Sequence, residues 1–325
     1  MTPEQFDLAI RLDSIFSPNA RKRRNELYQK KDRARFVHYT PADAALNIIK
    51  TKRLWMRNAM CMSDYREVSH GYDLFRGFFS DKNNADKFIN ALDICAPNVA
   101  SEAINLFDQW WGNIQTSTYI ASISEHDDDE DLHGRLSMWR AYGGSSARVA
   151  IVLNVPWYTG AGEKLNISFS PVEYPAAGAV HATINAVIDN VLENQAFLSS
   201  VDREMLLGTV FNMLLAGVTC LKHEGFREER EWRVLYSPKL RPSTFVKPST
   251  ETIGGVPQVL YKLPLDAAVS DSLADLDFAQ IFDRLIIGPS PYPFAQYEAF
   301  VAALESAGVQ NAAERVFVSG IPIRT

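Results

Sequence analysis

Charged and aromatic side chains cluster at four places in this chain. Glu229-Arg-Glu-Trp-Arg233 is the most chemically loaded. If the segment is extended, Glu229, Glu231 and Arg233 share one face, and Arg230 and Trp232 take the other. Such a face is costly to bury unless its charges pair. It reads either as a surface ladder of ion pairs or as the carboxylate of a site. His38-Tyr39-Thr40 closes an expected strand just before an expected helix. A helix start presents oriented backbone N–H groups to a ligand, although a hydrogen-bonded structural histidine fits the same pattern. In Ser137-Met-Trp-Arg-Ala-Tyr-Gly143, Trp139 and Tyr142 stand three apart, on one side of a helix, with Arg140 beside them. Aromatics so spaced fill a core or wall a pocket for a flat ring. Ser63, Asp64, Tyr65, Arg66 and Glu67 make a polar turn after a strand.

Other chemistries find no support. There is no Gly-rich dinucleotide fingerprint after a strand, no phosphate-binding loop, no HExxH and no GxSxG. The acidic run Glu125, Asp127, Asp128, Asp129, Glu130 and Asp131 could in principle hold Mg²⁺ or Ca²⁺ for a metal-dependent hydrolase. It lacks the alternation and glycine of a calcium loop, so a solvated loop is the plainer reading and no metal is expected. Cys61, Cys95 and Cys220 are far apart and form no CxxC pair, which argues against disulfides and a cysteine zinc site.

The elements that must position these residues come from patterning. The 325 residues are 46% hydrophobic, enough for a large core. The net charge of -6 excludes an overall basic nucleic-acid footprint. The basic run Arg21 to Arg24, continued by Lys30, Lys31, Arg33 and Arg35, is either a solvated face or a patch for an anionic partner. Glu4 and Asp7 near the start leave no signal-peptide pattern. No apolar run reaches the roughly 18 residues of a membrane helix, so no membrane association and a cytoplasmic location are expected.

Thr2 is a natural cap for a helix from Pro3 to Leu12, and Ser17-Pro18 separates it from a polar helix over Asn19–Lys31. Arg35–Thr40 reads as a strand, with Thr40 capping a helix that starts at Pro41 and carries Ala44, Ala45, Ile48 and Ile49. Leu54–Asn58 follows as a strand. Helical stretches are expected near 67–111, interrupted near Asp81 and Pro97, and near 181–221, broken near Ser199. Thr118–Ile123, Arg148–Leu153, Ile167–Tyr174, Arg230–Tyr236, Val259–Leu263, Arg284–Gly288 and Arg315–Ser319 read as strands. Short helices are expected at Arg135–Tyr142 and Tyr292–Ala307. Short strands with irregularly spaced helices predict an α+β fold built on a mixed, split sheet. The expected organisation is an N-terminal helical extension, 1–31, and one α+β domain, 32–325, with helical insertions near 67–111 and 181–221. The extension is expected to dock a protein partner or a second copy.

From about Phe36 to Arg324 the chain resembles the bacterial family called Domain of Unknown Function 2971. The resemblance rests on the His38-Tyr39-Thr40 and Leu54-Trp55 strands, Ser63-Asp64-x-x-Glu67, Ser137–Gly143, Glu229–Arg233, Ile286-Ile-Gly-Pro289 and Ser319-Gly-Ile-Pro-Ile-Arg324. It is also similar, more distantly, to ADP-ribosyltransferases of the His-Tyr-Glu type. That likeness implies an ADP-ribosyltransferase-like sheet and an NAD substrate. His38 would hold the adenine-side ribose, with Thr40 beside it. Glu231, or Glu229 in its place, would bind the nicotinamide ribose. Tyr39, Tyr65 or Tyr142 would stack on nicotinamide, Trp139 would help wall the pocket, and Arg140, Arg57 or Arg233 would meet the pyrophosphate. It further implies a toxin or anti-phage defence effector with a protein or nucleic-acid acceptor. The alternative is a non-catalytic sensor module that binds a nucleotide or a protein.

Overall fold

The computed structural model describes residues 2–29, 33–62, 67–141, 147–156, 161–176 and 178–322. In chain order the elements begin with α1 (Pro3–Phe16), α2 (Pro18–Tyr28), β1 (Arg33–Pro41), α3 (Ala42–Thr51), β2 (Arg53–Asn58), α4 (Glu67–Phe79), α5 (Lys82–Asp93) and α6 (Val99–Thr116). They continue with β3 (Tyr119–Glu125), α7 (Leu136–Ala141), β4 (Arg148–Pro156), α8 (Ala161–Leu165), β5 (Ser168–Pro171), α9 (Ala179–Glu193), α10 (Gln195–Leu198) and α11 (Arg203–Thr219). The last part holds β6 (Glu231–Tyr236), β7 (Lys247–Ile253), β8 (Val256–Pro264), α12 (Phe278–Ile281), β9 (Phe282–Ile287), α13 (Pro293–Ser306) and β10 (Val316–Val318). The fold is mixed α+β. Among the described residues, no helix is long and apolar enough to cross a membrane.

The chain forms two compact units. One collects Met1–Glu26, Asn58–Thr118 and Ser170–Arg227, and is helical. The stretches expected as insertions near 67–111 and 181–221 both lie in it, together with α1. Thr2 caps α1 through a reciprocal bond with Gln5, which satisfies two orphan donors of the first turn. Leu12, Ile15 and Phe16 are buried, and α1 packs on α9 and α11. The expected breaks hold: Asp81 caps α5, Pro97 precedes α6, and Asp202 caps α11 after the turn at Ser199.

The other unit, Leu27–Arg57, Tyr119–Phe169 and Glu228–Thr325, carries the sheet. The strand path is β10-β9-β4-β1-β3-β2-β8-β7, with β6 pairing β3 and β5. Only β10–β9 is parallel among the registered pairs, so the sheet is mixed. β1 pairs with β4 over all nine of its residues, from Arg33↔Pro156 to Pro41↔Arg148. With β3 it pairs at only two places, Phe36↔Glu125 and Val37↔Ser124. Because β6 covers one edge of β3 from Tyr119 to Ser124, β1 and β2 share the other edge. A seam therefore opens where β1 leaves β3.

Three expectations are corrected here. Thr40 does not cap α3: the ladder with β4 carries through Thr40 and Pro41, and Pro41 takes the cap position with no side-chain bond. The strand β7 was not anticipated. It alternates polar and exposed residues, and pairs with β8 through the turn Gly254-Gly255. Both glycines have positive φ, which a two-residue hairpin loop of this hand requires. The strand expected from Arg230 begins at Glu231, because Arg230 sits in the left-handed region at φ 46°.

Candidate functional site

The pleat decides which side chains can meet. Residues directly opposite on neighbouring strands share a face, and successive residues alternate. Phe36 lies opposite Glu125 and packs edge-on against Trp232, 5.2 Å between ring centroids. Val37, Ser124 and Glu231 lie opposite one another in turn, on the second face. By alternation His38 belongs to the Phe36 face, and Tyr39 to the Glu231 face.

His38 and Glu231 nevertheless converge on one residue, Ser122. Past Val37 the β1–β3 ladder stops, and the His38 ring takes its place, with Nδ1 2.9 Å from the Ser122 carbonyl. A carbonyl only accepts, so Nδ1 carries the proton and a neutral ring leaves Nε2 as an acceptor. Burial pulls the His38 pKa down, against the opposing effect of the Ser122 bond. The neutral form is therefore favoured. On the other face, the Ser122 hydroxyl donates to Glu231 Oε1 at 2.5 Å. Arg233 Nε donates to the same oxygen at 2.9 Å, and Nη2 to Oε2 at 3.3 Å. Arg233 is fully buried and Glu231 is 4% exposed. This is a buried, two-point ion pair with a hydroxyl as a third anchor.

Glu229 does not join it. The left-handed Arg230 breaks the alternation that would have aligned Glu229 with Glu231. Glu229 instead ends a 3-10 turn, and its carbonyl accepts from Arg135 at 3.0 Å. Tyr39 and Trp139 are core residues. Their rings meet edge to face at 4.9 Å, and the Trp139 indole N–H donates to the His133 carbonyl at 2.7 Å. The Tyr39 hydroxyl accepts the backbone N–H of Arg135 at 2.7 Å, and burial pushes its pKa up to about 12. Gly288 keeps room for the indole: a Cβ there would stand 2.8 Å from the ring. Both rings are buried, Tyr39 at 8% and Trp139 at 5% exposure, so among the described residues they pack as core and do not line an open pocket. Thr40 is buried opposite Val149. Arg140 is exposed at the end of α7. Arg57 donates to Gln258 at 3.1 Å. Tyr65 and Tyr142 lie outside the described residues.

In the acidic run Asp127, Asp128 and Asp129 are exposed, as in a solvated loop, but four of its carboxylates also meet arginines. Asp127 pairs with Arg230, Asp128 with Arg35 at 2.8 Å, and Glu130 with Arg135 at 2.8 Å and Arg230 at 3.0 Å. Asp131 pairs with Arg35, with Arg284 at 2.9 Å and with His126 at 3.0 Å. Burial alone would raise the Asp131 pKa, but bonds from Arg35 and His126, with the Arg35 and Arg284 charges, hold it below the usual value. Arg135, unnoticed in the sequence, is the hub. It donates to both Glu130 carboxylate oxygens and to the carbonyls of Glu125, Glu228 and Glu229. Its one sequence signal is its position five residues after Glu130. Ser122 had none, being one of two serines in a largely apolar strand.

With this geometry in place, the comparisons bear on a limited stretch. No curated protein and no solved structure matches the chain. A family model described as a protein of unknown function, DUF2971, matches residues 138–234. That stretch takes in Trp139, Arg140, Tyr142, Glu229, Glu231 and Arg233, and leaves out His38, Tyr39 and Thr40. From α7 to β6, then, the chain is similar to the DUF2971 family.

Proposed function

We propose that the chain is an NAD-dependent ADP-ribosyltransferase, with Glu231 on the nicotinamide ribose and His38 on the adenine-side ribose. The observation that supports this is their convergence on Ser122 at the seam between β1 and β3. The two side chains stand on opposite faces of the sheet, so a substrate touching both would have to pass through that seam. Neutral His38 would accept a ribose hydroxyl at Nε2, since Nδ1 is committed to Ser122. When the bond between nicotinamide and ribose breaks, its electron pair leaves with nicotinamide and positive charge grows on the ribose. The Glu231 carboxylate, fixed by Ser122 and Arg233, would stabilise that charge without reorganising. An acceptor nucleophile then attacks the ribose carbon and loses a proton. With Tyr39 and Trp139 packed on each other, the stacking role would pass to Tyr65 or Tyr142, and exposed Arg140 would meet pyrophosphate.

Glu231's use of both carboxylate oxygens favours a second reading, a non-catalytic sensor that binds a nucleotide or a protein. Nicotinamide release from NAD separates the two. Wild type is expected to release nicotinamide, faster with cell lysate as a source of acceptors, and Glu231→Gln to lose at least about a hundredfold, the scale of one transition-state charge contact. Because Gln removes a counter-charge from buried Arg233, Glu231→Gln/Arg233→Met serves as the folded control. Release by that double variant at the wild-type rate would remove Glu231 from the chemistry. No release by wild type, with NAD raising its melting temperature and remaining intact, would establish the sensor.

A further inference from the structure

We propose that the helical unit holds a second ligand site, a cavity that takes a small apolar amine whose ammonium pairs with Glu173. The cavity has a volume of about 80 Å³. One water needs only about 10–15 Å³ of such space, so there is room for a short alkyl or aryl body. Its walls include Phe16, Phe75, Val180, Ile184, Met213 and Ala216. Glu173 is the one charged side chain of a mostly apolar lining that also holds Ser17, Ser170 and Thr183.

Glu173 is held in place by its backbone. Its N–H donates to the Cys220 carbonyl at 2.8 Å, and its carbonyl accepts from Lys222 N–H at 3.0 Å. Its carboxylate accepts from Asn19 at 3.0 Å through Oε2. The same Asn19 nitrogen lies 3.2 Å from the Thr183 hydroxyl. Among the described residues, no arginine, lysine or histidine pairs with Glu173. Burial pushes its pKa up, only partly offset by the Asn19 bond.

A half-buried carboxylate without a cation is a desolvation cost with no structural return, since glutamine would keep the Asn19 bond without it. An ammonium from solution would supply the missing charge, and the apolar walls would bury the carbon body attached to it. An anion would meet the carboxylate, and a neutral isostere would forgo the ion pair.

Titration calorimetry of the full chain with benzylamine, benzyl alcohol and benzoate tests the assignment. Benzylamine is expected to bind at one site, with benzyl alcohol about tenfold or more weaker, the scale of one charge-assisted bond, and no binding of benzoate. Glu173→Gln is expected to remove the preference for the amine, and Ala216→Leu, which fills the cavity, to remove binding. Thermal melts confirm that both variants fold. Equal binding of amine and alcohol, amine binding unchanged in Glu173→Gln, or no binding of benzylamine overturns the proposal. None of these outcomes depends on nicotinamide release.

Discussion

The two units hold a part-buried carboxylate in opposite ways, although exposed ion pairs such as Arg203–Glu102 occur in the helical unit too. In the sheet unit, Asp127, Asp128, Glu130 and Asp131 each meet an arginine, and Asp131 is held ionised below its usual range. In the helical unit, Glu173 meets an amide alone, and burial raises its pKa. The same residue class thus stabilises one unit in its charged form and burdens the other. An arginine network locks a loop into place, whereas an unpaired carboxylate keeps a place for something else.

The hardest blow to this contrast is Arg135→Ala. It takes from Glu130 one of its two arginines and from three carbonyls the guanidinium they share. Removing one partner of a buried charge network costs about 3–5 kcal/mol. At about 2–4 °C per kcal/mol, the melting temperature should fall by roughly 10 °C. Arg135→Lys should recover little, since one ammonium cannot reach acceptors spread around a planar fork. A loss under about 1 kcal/mol, the worth of an ordinary surface pair, would show that the network is no more than that.

Asp131→Asn comes next, at about 1–3 kcal/mol near neutral pH, the worth of charge-assisted bonds. Its pH dependence carries the sign. A depressed carboxylate contributes stability above its unfolded pKa and loses it as pH falls through the lower folded value. The penalty of Asp131→Asn should therefore shrink in acid. A penalty constant from neutral to strongly acidic pH would detach the loop from its arginines.

Glu173→Gln should have the smallest effect, with the opposite sign. A raised carboxylate favours the folded state below its unfolded pKa, and that advantage is lost as pH rises through the folded value. The variant should melt slightly higher than wild type near neutral pH and no higher in acid. A lower melting temperature at neutral pH would mean that the charge itself supports the helical unit, and the contrast between the units would fail.

Local signals carried most of the elements. The Thr2 cap, the buried run of β4 and the breaks at Asp81, Pro97 and Ser199 each follow from nearby residues. The candidate site was less legible, because its contacts are non-local. Asp131 and Arg35 lie on opposite sides of β3 in sequence, and Arg284 arrives from β9. An acidic run read alone shows its solvated aspartates but not the arginines that reach it from elsewhere in the chain. Glu229 was misaligned because one left-handed residue, Arg230, reverses the parity that alternation assumes. Tyr39 and Trp139 carried residue types fit for a pocket wall, but the pairing that uses them up spans a hundred residues.

The thin join between β1 and β3 has a mechanical consequence. Two rungs, the His126 N–H to Arg35 carbonyl bond and one histidine ring connect two plates, β10-β9-β4-β1 on one side and β3 with its other partners on the second. On the Phe36 face, apolar side chains from both plates interlock across the join. On the opposite face the link runs largely through polar bonds of Arg135 and through Arg35 to Asp128 and Asp131. A panel fastened firmly on one side and lightly on the other flexes toward its lighter side. The softest bending of this sheet therefore spreads the face on which Glu231 sits.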